Sequence, residues 1–83
     1  MEPNYFDIVV NEVAGTMDIP ATALGPDTTF AEIGMDSLQA LQLLVALEGL
    51  TGIQFEESDL KHFVTVQSTV DLIVDRSKRA VEA

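Results

Sequence analysis

The stretch that decides the fold runs from residue 34 to residue 50: Gly34-Met35-Asp36-Ser37-Leu38-Gln39-Ala40-Leu41-Gln42-Leu43-Leu44-Val45-Ala46-Leu47-Glu48-Gly49-Leu50. Asp36 with Gln39 three positions on is a capping-box spacing, so a helix is expected to open at Ser37. Gly52 is a suitable stop, about two residues past Leu50. Each helical step turns about 100°. Counted from Leu43, Leu47 lies at about 40° and Leu50 at about 340°, so these three share a face. Leu38, Leu41 and Val45 fall at about 220°, about 160° and about 200°, on the opposite side. A single helix in a domain of this size seldom buries both faces. The Leu43 stripe is expected in the core. The Leu38 stripe is a candidate contact surface beside Ser37, unless loop residues such as Phe30 and Ile33 cover it.

Ser37 could in principle cap, attack or carry. Capping is better done by Asp36. Attack needs a base, and His62 is the only histidine, standing alone; no Lys precedes Ser37 and no Gly-x-Ser-x-Gly elbow surrounds it. His62 is expected at the surface or boundary of a short helix. Attachment of an anion suits the position. A hydroxyl at a helix N-terminus faces unpaired backbone N–H groups and the positive end of the dipole, although Asp36 offsets part of that.

Outward from this helix, three more helical segments can be placed. Phe6, Val9, Val10 and Val13 recur at helical spacing, which predicts a first helix from about residue 4 to residue 14, with Gly15 as its stop. A long connection, residues 16–36, holds Pro20, Gly25, Pro26 and Gly34. Its expected anchors are Ile19, Leu24, Phe30 and Ile33. A short third helix is expected over 57–62. A last helix, capped by Thr65, is expected over 66–79, with Val66, Val70, Ile73 and Val74 inside and its three bases in the final turn. The expected fold is all-α, a four-helix bundle with a long first loop and a short third helix.

Composition narrows the function. The chain has 83 residues, 47% of them apolar, and no cysteine. One domain is expected, spanning 1–83, with little room for both a core and a deep cleft. Disulfides and thiolate metal sites are excluded. The N-terminal stretch lacks the features of a signal peptide, and no run is long enough to span a membrane, so a cytoplasmic location is expected. Fourteen acids against four bases give a net charge of −10. Residues 1–60 contain no Lys or Arg. Such a surface repels nucleic acid and anionic lipid and favours basic partners. A calcium module is not supported, since no EF-hand loop is present.

"FAEIGMDSLQALQLLVALEGLTGIQF" (residues 30–55) closely resembles the acyl carrier protein family, whose pattern is Phe-x-x-Leu-Gly-x-Asp-Ser-Leu. Here the pattern is met by Phe30, Ile33, Gly34, Asp36, Ser37 and Leu38, and "VTVQSTVDLI" resembles the family's last helix. The resemblance covers about residues 5–78. It implies that a separate phosphopantetheinyl transferase attaches 4′-phosphopantetheine to Ser37 from coenzyme A, with Asp36 as an acidic rim. The thiol that a cysteine-free chain lacks would come from the cofactor. The protein would be no enzyme itself. The resemblance implies a partner surface of Leu38, Leu41, Gln42, Val45 and Glu48, with Glu56, Glu57 and Asp59 from the third helix. Carriers of fatty acid synthesis usually have Glu one turn after the Ser, where this chain has Gln42. Gly49 and Leu50 also stand where acids are frequent. The resemblance therefore points to a polyketide-type carrier of a specialised pathway, served by an acyltransferase and ketosynthase or by an acyl-activating ligase. A peptidyl or aminoacyl carrier is the alternative within the family. From another class, the alternative is an acidic helical adaptor without a prosthetic group. A monomer without a metal is expected.

Overall fold

In the computed structural model, residues 4–82 are described, with side chains through residue 79. Three α-helices and one 3-10 helix form the domain: α1 Tyr5–Met17, α2 Ser37–Thr51, a 3-10 helix Glu57–His62, and α3 Val66–Glu82. The loop between α1 and α2 contains one further 3-10 turn, Ala21–Ala23. α1 packs against both α2 and α3, and the 3-10 helix bridges α2 and α3. The expected all-α bundle with a long first loop is the fold observed. Among the described residues, no helix is long and apolar enough to cross a membrane.

The core is built from the periodic residues. Val9, Val10 and Val13 come from α1, Leu43, Leu44 and Leu47 from α2, and Val66, Val70, Leu72 and Ile73 from α3. Leu24 and Phe30 join them from the loop and are buried; Ile19 and Ile33 pack partly buried against the same cluster. Phe30 and Phe63 meet edge to face with ring centroids 6.4 Å apart, a favoured aromatic geometry.

Four details depart from the sequence-based expectation. α1 does not stop at Gly15 but runs to Met17 and ends on Asp18, which adopts the left-handed conformation at φ 55° and donates its N–H to the Ala14 carbonyl. A short polar side chain can take that conformation at moderate cost, so no glycine is needed. Leu50 is exposed rather than buried. The buried arc of α2 runs from Leu43 through Leu47 to Leu44, and Leu50 falls about 20° outside it, in the last turn of the helix. The third helix is 3-10 rather than α. The last helix extends to Glu82, so Arg76 lies well inside it and only Arg79 falls in the last turn.

Candidate functional site

Ser37 opens α2, and its surroundings are set by hydrogen bonds that begin in the sequence. The Gln39 amide donates to Asp36 Oδ1 at 2.8 Å, and the Asp36 amide donates to Gln39 Oε1 at 3.0 Å. This reciprocal box satisfies one free amide of the helix start and fixes the entry of the chain. Before it, Gly34 turns at φ 82°. That conformation favours glycine, and it lets the Met35 amide return to the Phe30 carbonyl at 3.0 Å.

The loop is rigidly attached further back. Thr29 and Glu32 form a second reciprocal pair: the Thr29 amide donates to Glu32 Oε1 and the Glu32 amide to Thr29 Oγ1. The Phe30 amide donates to the Val64 carbonyl at 2.9 Å, and Thr29 forms an isolated antiparallel bridge with Thr65. The first amides of α3, which lack helical acceptors, are taken by the same loop. Val66 N–H donates to Thr28 O and Gln67 N–H to Pro26 O. Thr65 caps α3, accepting from the Ser68 amide at 2.9 Å as expected. The loop thus links the start of α2 to the start of α3.

Ser37 itself is exposed, as are Asp36, Leu38, Leu41, Gln42 and Val45. Leu38 is 63% exposed and Val45 57%, so no loop residue covers this stripe. Leu41, at 37%, sits at its inner edge. The outer stripe of α2 is therefore an apolar strip that begins at Ser37.

Two of the residues expected in the partner surface do other work. Asp59 is 3% exposed. Its Oδ2 accepts from the Glu56 amide at 2.8 Å, and its Oδ1 accepts from the Arg76 guanidinium. Burial alone would raise its pKa. The Glu56 amide, the Arg76 hydrogen bond and charge, and nearby His62 outweigh that and hold it below the usual Asp value. Asp59 is thus the pin that holds the 3-10 helix to α3, not an exposed charge. Glu48 is half-buried, and its Oε2 accepts from the Phe55 amide at 2.9 Å, tying α2 to the segment after it. Glu56 and Glu57 are exposed. His62 is exposed, and its carbonyl accepts from Ser68 Oγ.

A groove of about 630 Å³ lies between the 3-10 helix and α3, lined among others by Lys61, His62, Asp71, Asp75, Arg76 and Arg79. None of its lining residues belongs to α2. Ser37 stands outside it, on an open surface. Among the described residues, no cluster of His, Cys, Asp and Glu could hold a metal. The residues at Ser37 do fit a phosphate ester. The hydroxyl is exposed, and the amides of Ser37 and Leu38 have no helical acceptor to compete with an anion.

Comparison with known proteins gives the family. The phosphopantetheine attachment site model matches residues 7–73. Acyl carrier protein 4, chloroplastic, of Arabidopsis thaliana is 39% identical over 69 residues, covering 83% of this chain and 48% of that protein. The chain spans about half the length of the chloroplastic relatives it matches. A non-reducing polyketide synthase of a Nectria species is 31% identical over 64 residues, 77% of this chain and 3% of that protein. Among solved structures, a free-standing peptidyl carrier protein from an uncharacterised secondary metabolic pathway of Acinetobacter baumannii superposes with a TM-score of 0.76. It is 28% identical and covers 86% of this chain and 89% of that one. The match over residues 7–73 and the shared helical fold place the chain in the phosphopantetheine-binding family of carrier proteins, which hold 4′-phosphopantetheine covalently, work with pathway enzymes and are not themselves enzymes.

Proposed function

We propose that Ser37 is the attachment point and that residues 1–83 act as a single carrier domain in a specialised, polyketide-type pathway. The observation that carries the first half is the exposed Ser37 hydroxyl at the start of α2, behind the Asp36–Gln39 box and ahead of an uncovered apolar strip. In the loading step, Ser37 Oγ attacks the pantetheine-bearing phosphorus of coenzyme A. The new Oγ–P bond replaces the P–O bond of the diphosphate, and adenosine 3′,5′-bisphosphate leaves. The hydroxyl proton passes to a base of the transferase. Once attached, the arm's terminal thiol holds acyl groups as thioesters.

The chain's own residues then position and present. The helix N-terminus favours the phosphodiester charge. Asp36 holds the helix start at the rim of the site. Leu38, Leu41, Gln42 and Val45 form the strip a partner would cover, with Glu56 and Glu57 exposed beyond it. The polyketide assignment draws support from Gln42 and Gly49, which keep the exposed side of α2 free of acids, and from the likeness to a synthase. An acyltransferase and ketosynthase, or an acyl-activating ligase, would be its pathway partners, working with a monomeric carrier in the cytoplasm. A peptidyl carrier is the second reading, favoured by the likeness to the Acinetobacter structure.

The test is intact mass after incubation with coenzyme A and a broad-specificity phosphopantetheinyl transferase. One phosphopantetheine is expected on the wild type and none on Ser37→Ala. No addition to the folded wild type, or addition that survives Ser37→Ala, overturns the assignment. Loading the holo protein with malonyl or with aminoacyl groups by the corresponding pathway enzymes separates the two readings.

A further inference from the structure

Ser37 is exposed on an open surface, so its placement is decided by the backbone that delivers it. That backbone is bonded almost amide by amide. The Thr29, Phe30, Glu32, Gly34, Met35 and Asp36 amides all have acceptors. Two of the acceptors are backbone carbonyls inside the turn itself: Gly34 N–H donates to Ala31 O at 3.1 Å and Met35 N–H to Phe30 O at 3.0 Å. Thr29 and Glu32 close the turn at its start, with the reciprocal spacing of a helix capping box.

The two ends of this path are held firmly. Behind, Phe30 is buried and its amide is bonded to the Val64 carbonyl. Ahead, Asp36 and Gln39 close on each other. Between them the chain passes through Ala31, Glu32 and Gly34, all exposed, while Ile33 and Met35 pack only partly against the core. Glu32 Oε1 lies 2.6 Å from the Thr29 amide nitrogen, a short bond to an ionised acceptor. Among the described residues Glu32 makes no ion pair, and residues 1–60 contain no Lys or Arg. The carboxylate therefore serves the backbone of the turn.

We infer that Glu32 is a positioning residue for the loading of Ser37, acting through its hydrogen bond to the Thr29 amide. This rests on Ser37 being the attachment point. The bond closes the turn, the closed turn brings the Phe30 carbonyl within reach of the Met35 amide, and Met35 leads directly into the Asp36 cap. Loading is a displacement at phosphorus, so Ser37 Oγ has to meet that atom along one direction. An open turn frees the residues just before the helix, and a displacement of about 1 Å is enough to slow such a step. Glu32 acts through the backbone and does not meet the reacting atoms.

Variants of the full chain separate the bond from the charge. Glu32→Ala removes both, Glu32→Gln keeps an accepting oxygen and removes the charge, and Thr29→Ala removes the other half of the pair. Initial loading rates by a broad-specificity phosphopantetheinyl transferase with coenzyme A are measured against carrier concentration, at a temperature where circular dichroism shows each variant folded. Exchange of the Met35 amide is followed by NMR. Losing one half of such a pair shifts a turn toward its open form about two- to thirtyfold. Met35 exchange follows the open fraction, and should rise about three- to thirtyfold in Glu32→Ala and in Thr29→Ala. Loading follows the closed fraction, so kcat should fall less, about two- to fivefold, with KM within about twofold of wild type. The double alanine variant should lose no more than either single one, because both break the same pair. Glu32→Gln should restore both Met35 exchange and kcat toward wild type. Wild-type kcat in Glu32→Ala would overturn the inference. So would equal losses from Glu32→Gln and Glu32→Ala, which assign the effect to charge, or a loss confined to KM, which assigns it to direct contact with the transferase. Failure of the folded wild type to load would instead overturn the assignment of Ser37, whatever the Met35 exchange shows.

Discussion

Replacing Asp59 by Asn removes one charge from the domain and should unfold it at a markedly lower temperature. Asp59 uses its two oxygens for two donors, the Glu56 amide and the Arg76 guanidinium. Asn offers one oxygen and one NH2 group, so one donor is left facing another donor. Breaking a fully buried ion pair costs about 3–5 kcal/mol. Here the Asp59 side chain is 5% exposed but that of Arg76 is 25% exposed, so the stranded guanidinium recovers some hydration. The discounted cost is about 2–3 kcal/mol. For a domain of this size that lowers Tm by about 10–20 °C. Thermal and urea unfolding, followed by circular dichroism on Asp59→Asn, Arg76→Gln and the double variant, gives both the loss and the coupling between the two residues. The pH dependence has a definite sign. The folded pKa of Asp59 lies below its unfolded value, so the folded state holds this proton less tightly. The Asp59 contribution is fully present above the unfolded carboxylate pKa of about 4 and is lost as pH falls through the folded value. The gap between wild type and Asp59→Asn should therefore stay constant from about pH 7 to 5 and narrow below about 4. A loss under about 1 kcal/mol, or a gap that persists through acid, would refute the pin.

Leu38→Ala should change unfolding free energy by less than about 0.5 kcal/mol, since Leu38 is 63% exposed. Leu47→Ala, at a fully buried site, should cost about 2–5 kcal/mol in the same urea titration. Transfer of an acyl group to a partner should be slowed in the stable Leu38 variant; unchanged transfer would remove Leu38 from the contact strip. A Cβ placed on Gly49 meets nothing within 4 Å, so Gly49→Ala should stabilise α2 by about 0.5–1 kcal/mol. Gly34→Ala meets the same open space at φ 82°, and should cost about 1–2 kcal/mol through backbone strain alone, read as a lower Tm.

Local features could be read from the sequence because their partners are neighbours in the chain. The Asp36–Gln39 box spans three residues, and so does the Thr65 cap of α3. Both are fixed by spacing within one helical turn. The valines of α1 and the Leu43–Leu47 pair followed from helical period. Phe30 and Leu24 followed from being apolar residues in a loop that had to be anchored. What escaped was set by contacts distant in sequence. The pairing of Asp59 with Arg76 crosses 17 positions, and nothing local separates a pinned acid from a solvated one in "EESDLK". Glu48 looks like a surface acid until the chain returns to place the Phe55 amide beside it. Leu50 has the right period, but a helical wheel cannot say how wide the buried arc is. Thr69 is fully buried inside α3. Its hydroxyl, donating to the Thr65 carbonyl at 3.0 Å, makes that tolerable, and only the assembled helix reveals it. At Ser37 the residue types were legible, and the structure added that the strip beginning there is bare.

The bridge between Thr29 and Thr65 joins segments 36 positions apart. A pairing of such separation exists only once both segments are in place. The loop that leads to Ser37 therefore takes its observed course only when the final helix has docked. A partly unfolded chain keeps the residues around Ser37 but loses the hydrogen bonds that hold the loop before them.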